Sequence, residues 1–263
     1  MEYEPFIRLG VFLSVFAVMA AWEWRRPARA QALGRARRWS TNWAVAILDS
    51  LVVRLLFPAA AVGAALDAAA QGWGLFHLLD APFWLAVLLT ILAMDFAIWF
   101  QHLVFHKVPV LWRLHKVHHA DRDVDVSTAI RFHPVEIALS MLLKIGLVYA
   151  LGAPAAAVVA FEVLLNACAM FNHSNIRLPE GVERALRKVI VTPDVHRIHH
   201  SVIRAEHDSN YGFNLSVWDR AFGTFTETPA CGQEGMVIGL SEHQDARPGR
   251  LWWTLALPFR GRA

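Results

Sequence analysis

"HLVFHKVPVLWRLHKVHH", residues 102–119, carries five histidines directly behind an apolar run that extends from Ala81 to about Phe100. On a helix continuing out of that run, His102 and His106 are spaced i, i+4 and project from one face, about 6 Å apart along the axis. His115, His118 and His119 follow at i, i+3, i+4. The same triplet returns in "VHRIHH" (195–200) as His196, His199 and His200, and His173 in "FNHSN" (171–175) brings the set to nine. With 13 histidines in 263 residues, chance supplies on the order of a few hundredths of one such triplet. One cluster could simply solvate a helix end; two triplets and an i, i+4 pair point to a metal-ligand set.

The rest of the chain says where that set sits. Hydrophobic residues make up 56% and charged residues 18%, with a mean hydropathy of +0.37, a composition expected of a membrane protein. "PFIRLGVFLSVFAVMAAWEW" (5–24) is long enough to cross the hydrocarbon, with Arg8 expected to snorkel. Its positive charges follow the apolar run, so it reads as a first span and not as a cleaved leader. Further apolar stretches cover Trp43–Leu66, Ala81–Phe100, Val135–Leu151 and Pro154–Met170, the last two separated by "GAP" at 152–154. They make four or five crossings, according to whether the last pair spans fully. Asp49 and Arg54 in the second stretch are expected to pair within the bilayer.

Arg25, Arg26, Arg29, Arg35, Arg37 and Arg38 mark the cytoplasmic side of the first loop. Alternating crossings then bring residues 101–134 and everything after about Phe171 to that same side, which is what one shared site requires. The expected fold is all-α: a multi-pass membrane helical bundle with a cytoplasmic, histidine-rich helical cap holding a dimetal site. Residues 1–80 form an N-terminal membrane region, 81–230 the catalytic domain, and 231–263 a tail. In that tail "RLWWTLALPFR" (250–260) is either an interfacial helix or a helix packed on the cap.

Composition also excludes. Cys168 and Cys231 are too few and too far apart for a disulfide framework or a thiolate zinc site. No basic run interleaved with aromatics suggests nucleic acid. His-Glu-x-x-His is absent, which removes the usual general base of a zinc peptidase. Nine imidazoles are too many for one ion; shared between two they suit redox iron, although imidazole also suits zinc, copper and nickel.

Around the histidines stand "RFHPVE" (131–136), "NHSNIRLP" (172–179), "TPDVHRIHHS" (192–201) and "NYGFNLSVWDRAFGTF" (210–225). With them, roughly Asp95 to Phe225 resembles the fatty acid hydroxylase and sterol desaturase superfamily of membrane non-haem diiron oxygenases; the N-terminal third carries no such resemblance. The resemblance implies two iron ions, dioxygen as co-substrate, and hydroxylation or desaturation of a lipid such as a fatty acyl chain or sterol. An ether-lipid-cleaving monooxygenase on the same site is the alternative within that chemistry. A zinc-dependent membrane hydrolase or a metal-binding transporter is the alternative of a different class. Electrons would come from a separate ferredoxin, cytochrome b5-like protein or reductase docking near Arg184, Arg187 and Lys188, a cluster that reads equally as a headgroup contact. The alanine- and arginine-heavy composition suggests a bacterial inner membrane.

Metal-bound imidazoles are expected to give their other N–H to a carboxylate or carbonyl. Asp95, two turns before His102, and Asn210 are the positions read as catalytic, Asp95 as a support to the ligands or as a structural contact. Glu162 and Asn166 share a helix face with His173, so Glu162 is expected to support it. Asp194 and Asp208 flank the last cluster and could orient it. His133 is either a further ligand or the start of the helix that Pro134 opens. His207 reads as an exposed loop residue more readily than as a tenth ligand. His77 and His243 are expected to be structural or solvated, and Tyr211, Trp218 and Phe222 to pack the cap on the membrane.

Overall fold

A computed structural model describes residues 4–260; the last three residues of the expected tail lie outside them. The long helices come in the expected order. Helix α1 is Glu4–Arg25, α2 Arg35–Leu56, α3 Ala60–Gln71 and α4 the single turn Leu75–Leu78. Helix α5 is Phe83–Lys107, α6 Pro109–His119, α7 Pro134–Leu151 and α8 Ala155–His173. Among the described residues there is no strand, only isolated bridges at Ile190–Leu215 and Ser201–Ile238. Five segments among the described residues are long and apolar enough to cross a membrane. Their outward faces are apolar too: Phe6, Leu13, Val18, Leu51, Leu55, Leu88, Leu92, Leu142 and Leu164 are exposed, as a lipid-facing surface requires.

The second crossing differs from expectation. It is broken at Phe57–Ala59, where Pro58 cannot continue the ladder and Ala60 takes φ +47°. Beyond the break, the alanine face of α3 (Ala61, Ala64, Ala65) lets it lie close against Met94 and Ile98 of α5, Met141 and Val148 of α7, and Phe161 of α8. At the far end of the bundle, Gly152 closes α7 in the left-handed conformation, with φ +67°. Gly74 packs so tightly against it that a Cβ there would meet Gly152 N at 2.0 Å. This backbone approach is what the "GAP" break permits.

Two ionic expectations fail, each for a geometric reason. Asp49 and Arg54 are five residues apart, about 140° around a helix; Asp49 turns inward and is buried, while Arg54 is exposed. Arg8 does not snorkel to the interface but pairs with Glu162 at 2.5 Å. Glu162 also holds Lys144 at 3.1 Å, so it serves two cations of the bundle and not His173.

The ends of α1, α5 and α8 and the starts of α2 and α7 meet at one end of the bundle, where the segments between and after them form the cap. A buried polar network locks it on. Arg38, 1% exposed, donates to Asp121 at 2.6 and 2.8 Å and to Asp125 at 2.6 Å. Arg131 donates to Val117 O, Asn42 Oδ1, Pro248 O and Thr254 Oγ1. Glu23 accepts from the backbone N–H groups of Val126 and Asn175, both at 2.7 Å. Arg38 is matched by two carboxylates, as a buried charge must be, while Glu23 takes both of its bonds on Oε1. The C-terminal helix Leu251–Ala256 buries Trp253 against Val117, Ala120 and Leu257 and leaves Trp252 exposed, so its inner face is fastened to the cap.

Candidate metal centre

The nine histidines reach one region from four helices. His102 and His106 sit in the last turns of α5. His115, His118 and His119 end α6, a helix opened by Pro109. His173 ends α8. His196 and His199 belong to α10 (Pro193–His199), which follows α9 (Glu180–Leu186), and His200 caps α10. The start of α10 is set by Thr192, whose hydroxyl accepts from Val195 N at 3.4 Å, and by Pro193 in its first turn.

They form two cages. His102, His106, His115, His119 and His199 bring one nitrogen each within 4.8 Å of one another, and His118, His173, His196 and His200 do the same; all nine are buried. Each triplet is divided. Residues i and i+4 enter one cage together and the remaining histidine crosses to the other, because consecutive helical residues point about 100° apart. His118 and His119 therefore face different cages, as do His199 and His200. The cages adjoin, with the His119 and His200 rings stacked at 4.6 Å.

Hydrogen bonding fixes the ring tautomers. A ring nitrogen facing a carbonyl must carry the hydrogen, which leaves the other nitrogen as a lone-pair donor. Nδ1 of His102 donates to Tyr211 O at 2.7 Å, that of His199 to Ser209 O at 2.6 Å, that of His118 to Arg131 O at 3.1 Å and that of His173 to Ala169 O at 2.7 Å. His115 Nδ1 donates to Glu136 Oε1 at 2.6 Å. The inward Nε2 atoms then crowd together: 3.0 Å between His102 and His115, 3.0 Å between His118 and His173, and 2.9 Å between His173 and His196. Two nitrogens at right angles on a first-row metal with bonds of about 2.1 Å are about 3.0 Å apart. His106, His119 and His200 each have two buried ring nitrogens without a hydrogen-bond partner, a costly arrangement for a protein alone and the expected one for a ligand cage. Burial holds His115 down at about 3, and burial reinforced by neighbouring imidazoles keeps His118, His119, His196, His199 and His200 well below the usual range. Neutral imidazole is the form that ligates. The residues present fit a pair of metal ions.

The supporting residues fall differently from expectation. Asp95 accepts from Trp218 Nε1 at 2.7 Å and so ties the cap segment to α5. Asn210, at φ +53°, bonds Val195 O, Thr226 O and Thr226 N; it braces the loop around α10 without touching the cages. Asp194 pairs with Arg197 at 2.6 Å. His133 caps α7, accepting from Val135 N at 3.2 Å, and stays out of the cages. His207 is buried, contrary to the expected exposed loop, and forms a third group with His106 and Asp208; Asp208 Oδ1 lies 3.4 Å from His106 Nδ1. Tyr211 is wholly buried with its ring 5.2 Å from that of His106, so it lines the centre and not the membrane. Trp218 and Phe222 do pack against Phe96 of α5.

Glu136 was missed as a site residue. Its signal lay in "RFHPVE", where an acid in the first turn of α7 faces the cap. It also lines a cavity of about 370 Å³. His102 and His115 stand at this cavity's head, and Phe12, Val53, Ile98, Met141 and Leu165 line its walls.

A family model described as fatty acid hydroxylase matches residues 87–224. The ornithine lipid hydroxylase OlsE of Rhizobium tropici is 31% identical over 148 residues, covering 56% of this chain and 44% of that protein. The human alkylglycerol monooxygenase is 32% identical over 174 residues, 65% of this chain and 36% of its own length. The Xenopus tropicalis alkylglycerol monooxygenase is 29% identical over 160 residues, 58% of this chain and 34% of its own. The chain thus spans less than half the length of these relatives. No solved structure matches it significantly.

Proposed function

Because the chain belongs to the fatty acid hydroxylase family, we propose that it is a membrane oxygenase that uses dioxygen and two iron ions to oxidise a C–H bond of a lipid. The observation that carries this reading is the pair of buried imidazole cages, five and four nitrogens, at the head of a cavity set among the spans. Neither cage contains a thiolate or carboxylate, and imidazole sets of this size suit redox iron. The chemistry supplied by a bound iron pair is reductive activation of dioxygen, with oxidation of an unactivated C–H bond as its outcome.

This chain's own residues do the rest. Backbone carbonyls of Arg131, Ala169, Ser209 and Tyr211 and the carboxylate of Glu136 orient the imidazoles. The buried cap excludes water. The cavity presents the lipid to His102 and His115. Residues 81–230 are the catalytic unit in this reading, with the N-terminal region to residue 80 supplying α1 to α4 and the described part of the tail, 231–260, closing the cap. Hydroxylation is the main reading; oxidation next to an ether oxygen, ending in C–O cleavage, is favoured as the second by the similarity to alkylglycerol monooxygenases.

The arginines of 25–38 lie at the histidine end of the bundle, which supports a cytoplasmic centre, and the Rhizobium relative supports a bacterial inner membrane. The electron donor is a separate ferredoxin, cytochrome b5-like protein or reductase. Arg184 and Arg187 of the expected docking patch already pair with Glu180 and Glu183, so a donor docking there would meet a partly neutralised surface. Metal analysis of the purified protein alongside oxygen-dependent turnover of membrane lipids tests the reading: two irons per chain with an oxidised lipid product support it, and a single zinc without oxygen consumption refutes it.

A further inference from the structure

The cavity wall is more polar than a hydrocarbon ligand requires. Three buried side-chain oxygens on it have no hydrogen-bond partner: Asp49 Oδ1 from α2, Gln101 Oε1 from α5 and Glu136 Oε2 from α7. All are acceptors. A buried acceptor left without a donor is unfavourable, so three of them, from separate helices on one cavity wall, call for a ligand that donates. Asp49 is 8% exposed and Glu136 5%, and the two line the same cavity from α2 and α7. A buried acid disfavours its own negative charge and any further one brought beside it, so an anion is a poor ligand there. Gln101 precedes His102, and Glu136 holds His115, so this acceptor tier adjoins the five-histidine cage.

The cavity's cations lie elsewhere. Lys144 is eight residues along α7 from Glu136, about 12 Å by helical rise. Both Lys144 and Arg8 are engaged by Glu162. An anionic headgroup would have to pull them from a carboxylate that already satisfies them. The apolar side chains Phe12, Val53, Met141 and Leu165 suit a hydrocarbon tail instead.

We infer that the cavity takes the polar end of its lipid through that lipid's own hydrogen-bond donors, hydroxyl or ammonium groups, held by Asp49, Gln101 and Glu136 beside the five-histidine cage, and that it rejects a carboxylate or phosphate there. The inference rests on the reading of the cavity as the lipid site of the oxygenase. Its consequence is regiochemical: the carbons next to the polar end, and not those deep in the tail, face His102 and His115.

Binding to the full-length protein in detergent micelles tests it, using four hexadecyl probes: a vicinal diol, the dimethyl ether of that diol, hexadecylammonium and hexadecyl phosphate. The diol or the ammonium probe should bind about ten- to a hundredfold more tightly than the dimethyl ether, the cost of leaving these acceptors unpaired, and the phosphate most weakly. Whichever of diol and ammonium binds better identifies the donor. Asp49→Leu, which removes an acceptor that no protein group uses, should narrow the gap between diol and dimethyl ether. Equal binding of those two, or a preference for phosphate, overturns the inference and needs no variant to observe. Iron content and lipid oxidation are scored on the same preparation. Two irons and turnover without headgroup preference overturn only the cavity inference, whereas headgroup discrimination by a protein that holds no iron overturns only the oxygenase reading.

Discussion

The two histidine cages use the same triplet and are built differently. The four-nitrogen cage of His118, His173, His196 and His200 is sealed, every member fully buried. Its second-side hydrogen bonds go to the backbone carbonyls of Arg131 and Ala169. The five-nitrogen cage opens on the cavity through His102 and His115, leans on the carboxylate of Glu136, and has His207 and Asp208 beside His106. One cage is held by main chain that substitution cannot alter; the other is held partly by a side chain that also faces the ligand. In the proposed oxygenase the contrast puts the lipid on the five-nitrogen side, where His102 and His115 line the cavity.

The largest expected effect comes from the smaller cage. His118→Ala leaves three nitrogens there, and turnover should be lost entirely with about one metal ion per chain, read by metal analysis and lipid oxidation. His199→Ala removes one of five and should also abolish turnover; full iron and full activity in both variants would refute the metal reading. Glu136→Gln should sharpen the comparison. It keeps the shape but weakens the grip on His115 Nδ1, and a loss of about 10- to 100-fold in metal affinity or activity is expected, with metal at the sealed cage retained.

A third effect is on stability. His115 titrates at about 3 in the folded chain against an ordinary 6.5, and His118, His119, His196, His199 and His200 are likewise lowered by burial. The unfolded chain therefore binds more protons than the folded one below about pH 6.5, so stability is full above that pH and falls as pH drops toward 3. Thermal unfolding of the metal-free protein should move to lower temperature on acidification through this window and stay level above it. An unchanged midpoint between about pH 7 and 5 would contradict the burial of these rings.

The smallest effects belong to residues that neighbour the centre without entering it. His133→Ala removes a cap from α7 and Asp95→Asn weakens the bond to Trp218; each should cost about 1 kcal/mol of stability and leave the metal content unchanged. Loss of metal in His133→Ala would bring that histidine back among the ligands.

How much of this was legible follows from the range of the interactions involved. The spans were legible because hydropathy is a local property summed over about 20 residues, and the nine histidines because i, i+3, i+4 spacing is a local property of a helix. The pairing of Asp49 with Arg54 failed because charge complementarity was considered without helical phase. The support expected from Glu162 failed because helical phase was considered without the neighbouring helices: Arg8 and Lys144 reach that carboxylate from α1 and α7. Glu136 escaped notice because nothing between residues 115 and 136 marks them as partners until the first turn of α7 meets the end of α6.

By itself the sequence pointed to a multi-pass helical membrane protein, to histidine clusters that come to one end of the bundle, and to nine histidines as candidate metal ligands. These follow from periodicity and from the alternation of crossings, which no distant contact can change. Only the tertiary structure decided which histidine serves which cage, that His207 is buried beside His106 while His133 caps a helix, that Tyr211 lines the centre, and that a cavity with three unpaired acceptors lies beside the five-nitrogen cage. Those outcomes depend on the angles at which α5, α6, α8 and α10 meet, and such angles are set by packing among residues far apart in the chain.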